Sequence, residues 1–214
     1  AGYNNRAAGF PHTDSAGYRY GLGVCPFVKV GSSVIFDPDT FTNPDYADLQ
    51  SRAYQDGARI SANSWGADVA GDYNVDSQAY DALVRDAQPA GSAFVTAGNQ
   101  QMIIVFSAGN AGPDGGTVGS PGTGKNLITV GAAENVRSMS IANGGNDASG
   151  NDGCATPDSE ANSANDIVGF SSRGPCQDGR QKPEIVAPGT HITGGGAQAG
   201  TPKTNRAGTA IARF

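Results

Sequence analysis

Asn110 stands in the run SAGNAG, Ser107 to Gly112, directly after the apolar stretch Met102 to Phe106. If that stretch is a strand, Asn110 lies just past its carboxyl end, where open α/β sheets gather their ligand sites. A Gly-Asn pair after a strand also serves simply as a turn. The run GSPGTGKN, Gly119 to Asn126, nearly satisfies a phosphate-binding pattern, but Asn126 occupies the position that needs Ser or Thr for Mg²⁺. The following LITVGA is strand-like, so no helix N-terminus would face a phosphate, and a nucleotide site is not expected. Asp72, Asn74 and Asp76 give D-x-N-x-D, yet Ser77 fills the glycine position of a calcium loop, and a turn plus a helix cap is the simpler account. Asn146, Asp147 and Asp152 form a second acidic group. No metal ligand is assigned from either.

Elements must hold these residues in place. The run FVKVGSSVIF, Phe27 to Phe36, is rich in β-branched and aromatic residues and predicts a buried strand. A helix should follow, with Pro44 just inside its start, Tyr46, Leu49 and Ala53 on one face, and Gly57 past its end. Ala58 to Trp65 predicts a second strand, and Asp76 can cap a helix carrying Ala79, Leu83 and Ala87 on one face up to Pro89. Met102 to Phe106, Leu127 to Val130 and Glu184 to Val186 predict further strands. Alternating strands and helices require crossover connections, so the expected class is α/β: three layers, a mostly parallel sheet flanked by helices. The polar, aperiodic segment from Met139 to Asn165 reads as a surface insertion within one domain spanning residues 1–214.

Composition excludes several functions. A chain of 214 residues with 37% hydrophobic content can bury a substantial core. A net charge of −6 and the lack of any basic run argue against nucleic acid as a partner. No apolar stretch approaches the length of a membrane span, and Ala1 to Arg6 lack the core of a signal peptide. Cys154 and Cys176 could close a loop of about 20 residues, which the chain-entropy relation values at about 3 kcal/mol and which would imply an oxidising compartment. Cys25, before Pro26, reads as a buried inert thiol.

Five blocks share one order: ISANSWG at Ile60 to Gly66, SAGNAG, SPGTGKNLITVGA at Ser120 to Ala132, FSSRGP at Phe170 to Pro175 and KPEIVAPG at Lys182 to Gly189. In order and spacing they resemble the subtilisin-like serine proteases, the subtilases of peptidase family S8. The polar insertion resembles large bacterial secreted members, so the resemblance implies an extracellular parent. It implies that Asn110 donates its amide to the oxyanion of the tetrahedral intermediate. It further implies that Ser64, Trp65 and Gly66 line a cleft that takes an extended peptide like an added strand, and that Ala108 and Gly109 form part of the specificity pocket. The Ser120–Pro121 peptide is commonly cis in such proteins. The chemistry needs no cofactor, and structural calcium in surface loops is allowed.

The same resemblance exposes departures. AGTAIA, Ala207 to Ala212, is similar to the family's nucleophile turn with Ala210 at the serine position. No block similar to the family's Asp or His segments is found, and His12 and His191 have neither sequence setting of the catalytic base. The expectation is a subtilase domain incomplete at both ends and inactive as written, with polypeptides as its ligands. Uncovered apolar sheet surface would invite a complementing chain or self-association. The alternative is a pseudoprotease module that binds extended peptides without cutting them.

Overall fold

The structure, a computed structural model, describes residues 24–25, 27–33, 35, 44–136 and 156–192. The chain packs as two compact units, one of residues 31–131 and 169–187 with 214, the other of residues 1–30, 132–168 and 188–213.

The first helix, α1, spans Tyr46–Gln55 because Asp45 caps it, its carboxylate accepting from the Asp48 amide at 3.0 Å. Pro44 therefore precedes the cap, one step outside the expected start. Asp56 ends the helix and Gly57, at φ +96°, turns the chain into β1, Ile60–Asn63. Helix α2 covers Val75–Arg85, and its cap is Asn74, two residues before the expected Asp76. The Asn74 Oδ1 accepts from the amides of Asp76 and Ser77, leaving Asp76 in the first turn, where a carboxylate favours the helix dipole.

Strands β2, Ile103–Ser107, β3, Ile128–Ala133, and β4, Ile185–Pro188, complete a four-stranded sheet in the order β1-β2-β3-β4. β1 pairs with β2 and β2 with β3 in parallel. β4 follows the same sense, the Glu184 amide donating to Thr129 O and the Gly189 amide to Ala133 O. The α/β class with a parallel sheet and flanking helices thus holds.

Alternation along β2 decides where the core lies. Ile104 and Phe106 are buried against Tyr80, Leu83 and Ala87, with Tyr46, Ala53, Tyr54 and Trp65 packed around them. Ile103 points the other way and is 51% exposed; its register partner Ile60 is 62% exposed, and Ile128, beside Val105, 38%. Among the described residues the helices therefore cover one face of the sheet, and the third layer expected from the sequence is not seen.

The predicted strand at Phe27 to Phe36 does not form among its described residues. Phe27, Val28 and Val30 are exposed and carry no strand pairing, and β propensity without a neighbouring strand leaves nothing to ladder with. Of the expected insertion, residues 139–155 lie outside the described set. Its last residues are partly internal: Thr156 and Ala161 are buried, and a 3₁₀ turn spans Asp158–Glu160. In the same unit the Glu134 carboxylate accepts from the amides of Asn162 and Ser163, each at 3.1 Å. No described helix is long and apolar enough to cross a membrane.

Candidate functional site

Register brings the site together. Asn63 pairs with Phe106, so the chain leaves β1 at Ser64–Gly66 beside the point where it leaves β2 at Ala108–Asn110. Both segments lie at the carboxyl edge of a parallel sheet, where strand ends leave backbone groups unpaired by neighbouring strands. Asn110 is exposed and its side chain bonds to no described residue.

The loop that carries Asn110 is fastened from behind. Ala108 donates to Val130 O and accepts from the Gly119 amide, each at 2.9 Å. Ser172 donates its amide to Gly109 O and accepts the Ala111 amide on Oγ, each at 3.0 Å, while the Gly112 amide bonds Phe170 O. Gly109 sits at φ +108°, and a Cβ there would stand 2.9 Å from Ser172 Oγ, so only glycine fits the turn. With the flanking backbone engaged, Asn110 itself stays exposed on a loop held from behind.

A second layer of bonds fixes Ser120–Thr123 behind Gly66. Ala67 and Ser120 exchange two backbone hydrogen bonds, at 2.8 and 3.0 Å. Below them Ser77 Oγ lies 3.0 Å from Ser120 Oγ and 2.7 Å from Thr123 Oγ1, and Ser120 Oγ donates to Asn74 Oδ1 at 2.6 Å. The Ser120–Pro121 peptide is cis.

Several sequence expectations take different places. Trp65 turns into the core, its ring 5.5 Å from Tyr46, 5.8 Å from Tyr80 and 5.2 Å from Phe106, so any contribution to a cleft comes from its backbone. Ala108 is 1% exposed and can shape a pocket only from beneath. Ser64 and Gly66 are exposed. The amides of Lys125 and Asn126, which a phosphate loop would offer its ligand, are taken by the Asp81 carboxylate at 2.9 and 2.6 Å, in agreement with rejecting a nucleotide. Asn74 Oδ1 accepts from Asp76, Ser77 and Ser120, so it acts as a cap, and no three His, Cys, Asp or Glu side chains gather around a metal-sized space among the described residues.

His191 is fully buried in the other unit, its Nε2 3.0 Å from Thr156 O and its Nδ1 3.7 Å from an Asp158 carboxylate oxygen, which makes it a structural histidine. Cys25 is exposed, not buried as expected. Cys176 carries a buried free thiol, against the bridge to Cys154, which lies outside the described residues together with His12, Asn146, Asp147, Asp152 and Ala210. Burial pushes the Cys176 thiol above its ordinary range.

Sequence reasoning missed Ser172 and Asp81. FSSRGP was part of the resemblance without a role for its second serine. Asp81 left a usable signal, since it falls on the Tyr80–Leu83 side of α2, and a carboxylate on an inner face must find donors.

The sequence profile of the subtilase family, peptidase S8, matches residues 1–212. The chain belongs to the subtilase family. Among curated relatives of this subtilase is the serine protease AprX of Bacillus subtilis, 35% identical over 117 residues, which are 55% of this chain and 20% of that protein. Another is the serine protease/ABC transporter B family protein tagD of Dictyostelium discoideum, 26% identical across 87% of this chain and 13% of that protein. The subtilase thus spans a small part of the length of these relatives. Among solved structures, Sphericase covers 67% of the chain at 24% identity and TM-score 0.38, with 36% of its own length matched. The S41 Psychrophilic Protease covers 69% at 21% identity and TM-score 0.34, with 40% of its length matched.

Proposed function

We propose that this subtilase domain carries the substrate side of a serine endopeptidase site, with Asn110 as the oxyanion donor and Ser64–Gly66 as the edge along which an extended polypeptide lies. The observation that carries the reading is the exposed, unpartnered Asn110 on a loop tied down at Gly109, Ala111 and Gly112, beside the end of the edge strand β1. As a peptide carbonyl becomes tetrahedral, its oxygen gains charge. An amide already aimed there, on a loop that need not reorganise, favours the transition state over the ground state. A peptide laid beside Ser64 and Gly66 would take backbone hydrogen bonds in the manner of an added strand.

Ala210 separates binding from cutting. Alanine has no hydroxyl to attack a carbonyl, and in subtilisin, a relative, loss of the nucleophile alone costs about 10⁶ in kcat. On this reading the chain binds peptides without forming an acyl-enzyme, and its parent works outside the cell on polypeptides. The purified chain should not label with a fluorophosphonate; stoichiometric labelling would overturn the assignment of Ala210. Titration with an unstructured peptide should move the Asn110 side-chain amide signal in an NMR spectrum. No saturable shift up to about 1 mM, a free energy near −4 kcal/mol, would remove the cleft from the reading.

A further inference from the structure

On the reading of Asn110 given above, we infer that Ser172 is a positioning residue for the oxyanion donor, fixing from behind the direction in which the Asn110 side chain leaves the backbone. Two planar peptide groups flank the Asn110 Cα. One carries the Gly109 carbonyl and the other the Ala111 amide, and their planes set φ and ψ of Asn110. Ser172 holds both: its own amide donates to Gly109 O at 3.0 Å, and its Oγ accepts the Ala111 amide at 3.0 Å. With both planes pinned, the Cα–Cβ bond of Asn110 has one direction.

The two bonds ask different things of the sequence. Any residue except proline at position 172 could supply the amide. The Ala111 amide needs a side-chain acceptor there. Every other described hydrogen bond that fixes residues 108–112 runs from backbone to backbone, so this is the one that depends on a side chain. Solvent would not replace it, because Ser172 is 1% exposed and the Ala111 amide would lose its acceptor outright. Hydroxyl and glycine are also matched across the contact, since a Cβ at Gly109 would meet the same oxygen.

A clamp must not move with what it holds. Beside Ser172, the Arg173 amide donates to Thr117 Oγ1 at 2.9 Å and the Arg173 carbonyl accepts the Thr117 amide at 2.8 Å. One residue further, the Gly174 amide donates to Lys182 O at 2.9 Å. The serine thus stands on a braced segment, as a group that supports a binding side chain should. A serine that only filled space would, when changed, weaken every ligand alike. A positioning serine changes discrimination instead, because a charge-assisted hydrogen bond to an oxyanion falls off steeply with angle. A neutral peptide lying along Ser64 and Gly66 takes its bonds from the backbone and does not depend on that angle.

Two ligands of one sequence test this, titrated by NMR into the chain as it stands. One is tetra-alanine carboxamide. The other is the same peptide with its last alanine replaced by the aminophosphonate counterpart, a tetrahedral anion with no leaving group. The parent should prefer the phosphonate by about tenfold or more, the contribution of one hydrogen bond to a charged acceptor, and Asn110→Ala should abolish the preference. Ser172→Ala should cut the preference about fivefold or more while carboxamide affinity stays within about twofold, and Ser172→Thr, which keeps the hydroxyl, should restore it. Val84→Ala, a truncation in the core at α2, should lower the urea midpoint and leave the preference at the parent's value. A preference lost in Asn110→Ala but unchanged in Ser172→Ala, or lost equally in Val84→Ala, would overturn the role of Ser172 and leave the proposed function standing. No preference in the parent, or one that Asn110→Ala keeps, would overturn both. Hydrogen exchange in the parent needs no variant: the Ala111 amide should be protected like that of Gly112, and exchange at the rate of an unstructured peptide would by itself overturn the role of Ser172.

Discussion

Replacing Asp81 by alanine asks whether one buried carboxylate holds the turn behind the candidate site. Asp81 is 8% exposed and accepts from Tyr73 Oη at 2.9 Å, the Lys125 amide at 2.9 Å and the Asn126 amide at 2.6 Å. Hydrogen bonds to a charged group contribute about 1.5–3 kcal/mol each, so simple addition exceeds about 4 kcal/mol. Lys125 and Asn126 are exposed, so water can reach their amides once the carboxylate is gone, and contributions within one network are not additive. The expected loss is about 2–4 kcal/mol. With a urea slope of about 2 kcal/mol/M the midpoint falls by about 1–2 M. Asp81→Asn should lose nearly as much, because its amino group would face a backbone N–H. The effect should travel to the site: the Gly119 amide bonds Ala108 O and the Ser120 amide bonds Ala67 O, so hydrogen exchange at both should accelerate. A midpoint shift below about 0.5 M, with exchange at Ser120 unchanged, would refute this reasoning and hand the turn to the Ser77–Thr123 hydroxyl pair instead.

Gly112→Ala should cost about 2–4 kcal/mol in thermal or urea unfolding, because its Cβ would overlap the Ser171 carbonyl oxygen and stand 2.6 Å from that of Gly169, neither of which is a flexible side chain. Gly115→Ala, with its nearest atom at 3.2 Å, should cost clearly less, and equal losses would discredit the clash. The Tyr80 hydroxyl is buried and meets only the Gln50 side chain, without a well-formed hydrogen bond, so Tyr80→Phe should leave stability at pH 7 within about 1 kcal/mol of the parent or raise it. Burial also pushes the Tyr80 phenol far above its ordinary value. The unfolded chain ionises from about pH 10 while the folded one cannot, so this contribution is complete below about pH 10 and is lost as pH rises above it, by up to about 1.4 kcal/mol per pH unit. Urea midpoints at pH 9 and 11 should therefore diverge, less so in Tyr80→Phe; a flat profile in the parent would count against it.

Legibility followed how local each determinant is. Helix α1 could be read from Pro44 and Gly57 because capping and chain reversal act within a turn of the helix they bound. The cap of α2 was misplaced by two residues since Asn74 and Asp76 are both good caps, and the choice fell to Asn74 through a partner 46 residues away, Ser120. The strand expected at Phe27 to Phe36 does not form among its described residues for the opposite reason: a β-branched run states a preference, but pairing is a property of two segments. Asn110 was legible by position, as the residue after an apolar strand. The clamp by Ser172 was not, because its two bonds join residues 61 and 63 positions apart and neither end announces the other.

The same non-locality bears on how donor and nucleophile relate. Every described bond that fixes residues 108–112 comes from Val130, Gly119, Phe170 or Ser172. Among the described residues, the geometry of the Asn110 loop is thus set by β3, the 118–120 segment and the 170–172 segment. On the proposed reading, a serine at 210 would restore a hydroxyl, while the described bonds that hold the loop would stay as they are. On that reading, preorganisation of charge stabilisation and supply of the nucleophile are separable, and a chain with Ala210 would keep its site for the substrate carbonyl.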